Sequence, residues 1–209
     1  MLWIGWFGFN AGSALGANGG AGMAMLVTHI SAATASLVWM FIEWKRFGKP
    51  SLIGIVTGMV AGLATVTPAS GYIGVPGGLI LGFLGGLLCY LAVDYIRGKL
   101  QIDDSLDVFA VHGVGGILGT LLVAFLATST FSGLGLAEGQ TGVSQFIIQL
   151  KAVVLTVIWT SFFTYLIKNS SALFSYVSSE FKKPMYSPLA NFIPLLKASY
   201  IPLSFDEHQ

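Results

Sequence analysis

Trp6, Phe9 and Ser13 follow one another at spacings of three and four, which places them on one face of a helix. Ser13 stands nearest the adjoining loop, Phe9 a turn deeper and Trp6 deeper again. An aromatic face attracts a small cation, and a hydroxyl accepts its hydrogen bond. The same pattern also serves plain helix packing, with Ser13 as a loop residue.

A second set lies in the run Asp104-Ser-Leu-Asp107-Val108-Phe-Ala-Val-His112. Asp104, Val108 and His112 are four apart, so a continuous helix puts them on one face as well. An imidazole donates with one nitrogen and accepts with the other, so it can relay a proton or hold a polar solute. A hydrogen-bonded core histidine is the other reading. Asp104 and Asp107 suit the first turn of a helix, where carboxylates cap free N–H groups and complement the dipole. His29, in Val27-Thr28-His29-Ile30-Ser31, is a second apolar-embedded histidine. Two such histidines raise the alternative of a membrane redox protein with His-ligated haem or metal. The sequence holds no haem-attachment motif and no His, Cys or Glu cluster beside them, so neither metal nor cofactor is expected.

The elements that must carry these residues are membrane helices. Crossing a bilayer takes about 20 apolar residues as a helix. Five stretches qualify: Met23–Ile42, Ser51–Val66, Val75–Ile96, Asp104–Ala127 and Phe146–Ile167. Met1–Ser13 is apolar but short, covering roughly 20 Å at 1.5 Å per residue. It is expected to be the second part of a helix whose start is missing, in a truncated chain. A signal peptide is a poor reading, because no Lys or Arg precedes Lys45 and Gly5, Gly8 and Asn10 interrupt the run. Such runs are too long for barrel strands. The fold class is therefore an all-α polytopic membrane bundle.

Composition agrees. Of 209 residues, 55% are hydrophobic and 9% charged, with a mean hydropathy of +0.80. Soluble domains carry roughly 25% charged residues. A net charge of +1 gives no electrostatic case for nucleic acid. Cys89 is alone, can close no internal disulfide, and reads as an inert core residue. Glycines recur every fourth residue at Gly54, Gly58 and Gly62, at Gly74 to Gly86, and at Gly115 and Gly119, a stripe that lets helices approach closely.

Loop charge sets the orientation. Lys45, Arg46 and Lys49 share one connection and Arg97 and Lys99 the next but one, while Thr67–Gly74 and Thr128–Gly142 carry no Lys or Arg. The positive-inside rule places the basic loops and the C-terminus in the cytoplasm. Glu138 then sits in an outer loop as a loop or capping group. The glycosylation-like Asn169-Ser-Ser171 becomes a cytoplasmic chance match.

Three motifs together resemble the Amt/Mep/Rh ammonium transporter family. Trp6-Phe-Gly-Phe-Asn-Ala-Gly-Ser-Ala14 resembles its sixth-helix signature. Thr67-Pro-Ala-Ser-Gly-Tyr-Ile-Gly74 resembles its eighth-helix exit. Asp103-Asp-Ser-Leu-Asp-Val-Phe-Ala-Val-His-Gly-Val-Gly-Gly116 resembles its tenth-helix motif, which holds one of two paired pore histidines. Their order and spacing agree from residue 1 to about 170.

The resemblance implies a family fold of eleven helices in two inverted five-helix repeats, assembled as a homotrimer in the plasma or inner membrane. Residues 1–170 would then be the second repeat, a partial first helix plus five full spans, and 171–209 a cytoplasmic tail. It implies that His112 is the tenth-helix pore histidine, Phe9 part of the external gate and Ser13 the hydroxyl of the outer ammonium site. Trp6 and Val108 would be pore wall, Asp104 and Asp107 a structural acidic pair, and His29 a packing residue. The activity implied is ammonium recruitment outside, deprotonation, and histidine-assisted passage of neutral ammonia, with no enzymatic step. The other pore histidine and the remaining gate aromatics belong to helices one to five and are not in this sequence. A non-conducting half-protein is therefore an alternative. The tail carries Pro184, Pro188, Pro194 and Pro202 and no clear family tail motif, a departure that argues against regulation through it; a cytoplasmic regulator stays open as a partner only because the resemblance implies one.

Overall fold

A computed structural model describes residues 1–104 and 106–169. The tail expected over 171–209, and two residues of the Asn169-Ser-Ser171 match, lie outside them. Among the described residues every regular element is helical: α1 (Leu2–Gly12), α2 (Gly19–Phe47), α3 (Leu52–Val66), α4 (Val75–Gly98), a π-helical turn (Phe109–Gly113) leading into α5 (Val114–Leu126), a 3-10 turn (Ser129–Phe131) and α6 (Gly142–Asn169).

The helices begin and end where local chemistry dictates. Asn18 caps α2 by accepting the Ala21 N–H at 3.0 Å, and Ser51 caps α3 by accepting that of Gly54 at 2.9 Å. Gly48, at φ 77°, closes α2 in the left-handed region that glycine enters freely. Pro76 stands in the first turn of α4, where no backbone donor is lost.

Four helical stretches are long and apolar enough to cross a membrane: Gly19–Phe47, Val75–Gly98, Phe109–Leu126 and Gly142–Lys168. The protein is a polytopic helical membrane protein. The fifth expected span is shorter than the rest. Leu52–Val66 has 15 residues, about 22 Å of helix, because Thr67-Pro68 and the turns after it end the helix short of a full crossing.

Two compact units divide the chain, Met1–Leu155 and Thr156–Gln209. The first holds α1 to α5 and the start of α6. Within it α2 is flanked by α3 and α4, and glycine stripes set the spacing. A Cβ added at Gly82 would lie 2.6 Å from the Ser31 carbonyl oxygen, and one at Gly62 would collide with the same oxygen. Ser31 Oγ donates to the Gly62 carbonyl at 2.9 Å. Two buried clusters fill the remaining space. One joins Val27, Val66, Ile73, Leu81 and Val123; the other joins Trp39, Ala61, Cys89, Tyr90 and Val111. The described part of the second unit, 156–169, continues α6 and carries Phe163 in ring contact with Trp159 and Phe162.

The run from Asp104 departs from the continuous helix expected of it. Asp107 takes a left-handed backbone, φ 53°, which Asp tolerates better than most residues. Helical structure starts only at Val108, so Asp104 precedes the helix and shares no face with Val108 and His112. Its carboxylate instead accepts the N–H groups of Val108 at 2.8 Å, Phe109 at 2.9 Å and Ala110 at 3.4 Å. It is a cap on free N–H groups, placed four residues before the first helical residue.

Candidate functional site

Trp6 and His112 meet across α1 and the π turn. Their ring centroids are 6.2 Å apart and their planes 22° from parallel. Phe9 stands edge-on to Trp6 at 6.2 Å and 72°. Two neighbours on α1 and one residue more than a hundred positions away thus form one aromatic–imidazole surface. His112 sits in a five-residue π turn, a geometry that adds a residue to one turn and often marks functional positions. Val108 is half-exposed (51%) at the start of the same helical run.

Trp6 is fixed at its far edge. Its indole Nε1 donates to Thr67 Oγ1 at 2.7 Å, and Thr67 Oγ1 donates to the Leu63 carbonyl at 2.7 Å. α1 is held again by Asn10, which is 5% exposed and donates through Nδ2 to Thr28 Oγ1 at 3.0 Å. Asn10 and Thr67 lie within the sixth-helix-like and eighth-helix-like motifs, but the sequence gives neither a role of its own. Spacing within a helix says nothing of partners 18 and 61 residues away.

Toward the end of α1 a cavity of about 370 Å³ opens, lined by Phe9, Asn10, Ser13, Thr67, Ser70 and Tyr72 among others. Ser13 Oγ donates to the Phe9 carbonyl at 2.8 Å. With its proton committed, the Ser13 oxygen is left as an acceptor, the polarity an ammonium N–H requires.

At the other end of the site, Arg97 Nε lies 2.7 Å from Asp107 Oδ1. This ion pair ties the end of α4 to the loop that launches the His112 helix. Burial pushes the Asp107 carboxyl above its ordinary range, and the Arg97 guanidinium works against that rise.

His29 has surroundings that its own helix does not reveal. Leu26, Ala33 and Ser36 share its face by spacing, but the imidazole packs on α1, against Trp3 at 5.1 Å and Phe7 at 6.0 Å. The two histidines therefore address different stripes of α1. Among the described residues, no group of three or more His, Cys, Asp or Glu is gathered as a metal site would need.

Residues 1–178 match the model of the Ammonium Transporter Family. The chain belongs to the ammonium transporter family. It is 43% identical over 168 residues to the ammonium transporter of Aquifex aeolicus, covering 80% of this chain and 39% of that protein. It is 49% identical over 150 residues to ammonium transporter Amt1 of Archaeoglobus fulgidus, covering 70% of this chain and 38% of the relative. Among solved structures it resembles Mep2 of Saccharomyces cerevisiae, with a TM-score of 0.70 at 32% identity over 79% of this chain and 41% of that one. Candida albicans Mep2 gives 0.71 at 32% identity over 82% and 40%. The chain thus spans about two fifths of the length of these family members.

Proposed function

We propose that this chain supplies the C-terminal half of an ammonium-conducting pore. The observation that carries the reading is the Trp6–His112 pair, which stands on an exposed face beside the Phe9–Ser13 cavity. An imidazole exposed at membrane depth is costly against lipid, and such a group ordinarily faces a bundle interior or an aqueous path. A complementary helical half is the natural cover for this face.

In that pore Ser13 and the Phe9 ring recruit ammonium from outside. The hydroxyl oxygen accepts one N–H and the ring faces the positive charge. Phe9 gates the way inward. Ammonium and potassium alike pay for lost water in an apolar passage, but only ammonium can leave a proton behind and continue as ammonia. Trp6 and Val108 form the wall. His112 gives the neutral species a hydrogen-bond partner and offers a proton a route. Asp104 and Asp107 shape the helix start and touch no substrate. The protein is a transporter and performs no enzymatic step.

The same reading makes residues 1–170 the second inverted repeat and 171–209 a cytoplasmic tail open to a regulator. It places the basic loops and C-terminus on the cytoplasmic side of the plasma or inner membrane and assembles the protein as a homotrimer. The redox alternative lacks support from geometry, since His29 and His112 stack on different residues of α1.

The test is methylammonium uptake in cells lacking ammonium transporters. Uptake is expected when this chain is co-produced with the N-terminal half of the Archaeoglobus fulgidus relative, and background when either half is produced alone. Uptake by this chain alone would show that it closes a pore without that partner.

A further inference from the structure

Resting on the conducting role just given to the Trp6–His112 face, we propose that Thr67 is a positioning residue for conduction: its hydroxyl holds the Trp6 indole at the angle and distance that present it to His112. Thr67 closes α3, directly before Pro68. Its hydroxyl proton goes to the Leu63 carbonyl, so its oxygen can only accept from the indole. The hydrogen bond therefore has one polarity and one direction. An indole N–H at membrane depth needs such a partner, because no water competes for it there.

The anchor is also tied to the histidine it serves. A Cβ added at Gly119 of α5 would collide with the Thr65 carbonyl oxygen and come within 3.2 Å of Pro68 Cδ. One added at Gly115 would lie 2.8 Å from Thr65 Oγ1. The end of α3 and the helix that follows His112 are thus in close contact on both sides of Thr67. Holding Trp6 to Thr67 fixes the indole against the same rigid corner that fixes the imidazole. The spacing of the stacked rings follows from that corner rather than from α1 alone. Trp6 spends its only donor on Thr67, which leaves its ring face, and no competing N–H, toward the passing molecule.

Thr67→Val keeps the side-chain volume and removes the acceptor; Thr67→Ser keeps the acceptor. The first readout is the indole N–H resonance of Trp6 in the purified chain in lipid nanodiscs, assigned by its loss in Trp6→Phe. The second is methylammonium uptake by the full chain co-produced with the N-terminal half of a relative. Thr67→Val should shift the Trp6 resonance and lower uptake roughly ten-fold, the scale of one lost hydrogen bond. Thr67→Ser should restore both. An unmoved Trp6 resonance, or uptake in Thr67→Val equal to wild type while His112→Ala is impaired, would overturn the assignment and leave the conduction reading standing. Wild-type uptake in both Thr67→Val and His112→Ala would overturn the two together.

Discussion

Trp6 and His112, 106 positions apart in the chain, lie with their rings 22° from parallel and 6.2 Å between centroids. One belongs to the short first helix and the other to the π turn that leads into α5. Helix packing through glycine brings them together. Gly115 and Gly119 of α5 lie close against Thr65 at the end of α3, and Trp6 donates to Thr67 at that same end.

The cap on the His112 helix is a first point of attack. Asp104 accepts three backbone N–H groups, so Asp104→Ala should lower the stability of the purified protein by about 1–2 kcal/mol, as lost caps do. Asp104→Asn, which retains one carbonyl acceptor, should recover part of that. Thermal unfolding in detergent decides it; an unchanged midpoint in Asp104→Ala would mean that the N–H groups find other partners.

The Arg97–Asp107 pair gives a pH prediction. Burial raises the Asp107 carboxyl above its unfolded value, so the folded state holds that proton more tightly. The stabilising contribution of the protonated form is complete below the unfolded value and is lost as pH rises through the folded one. Wild-type protein should therefore lose stability relative to Asp107→Asn across the mildly acidic range. Arg97→Met removes the charge that opposes the rise, and should extend the loss to higher pH. Parallel stability curves for wild type and Asp107→Asn would contradict the assignment.

Much of this arrangement is legible in the amino-acid sequence. Long apolar runs between basic loops announce the spans, and the fourfold glycine spacing announces their close packing, which Gly62 and Gly82 realise on Ser31. The Trp6–Phe9–Ser13 spacing survives because α1 is a regular helix. The Asp104–Val108–His112 spacing misleads, because periodicity assumes a continuous helix. The left-handed Asp107 and the π turn break that assumption. Spacing is equally silent on partners from other helices, so Thr67, Asn10 and the Trp3–Phe7 bed of His29 emerge only with the fold.

The proposed orientation rests on the loop charges of Lys45, Arg46, Lys49, Arg97 and Lys99. Phe47 is 62% exposed at the end of α2 and tolerates a probe. With Cys89 replaced by Ala, Phe47→Cys should react with a membrane-impermeant maleimide only after the cells are opened. Labelling in intact cells would invert the topology.

In the proposed pore His112, and not His29, lines the conducting path. The direct measurement compares His112→Ala with His29→Ala in the chain co-produced with the N-terminal half of a relative, reading methylammonium uptake and discrimination of ammonium against potassium. His112→Ala removes the imidazole that faces Trp6 and leaves ammonia without a hydrogen-bond partner, a loss of about 1 kcal/mol or more for each bond. His29→Ala removes a ring packed on Trp3 and Phe7. Uptake or selectivity should change strongly in His112→Ala and little in His29→Ala. Wild-type uptake and discrimination in His112→Ala would contradict the account.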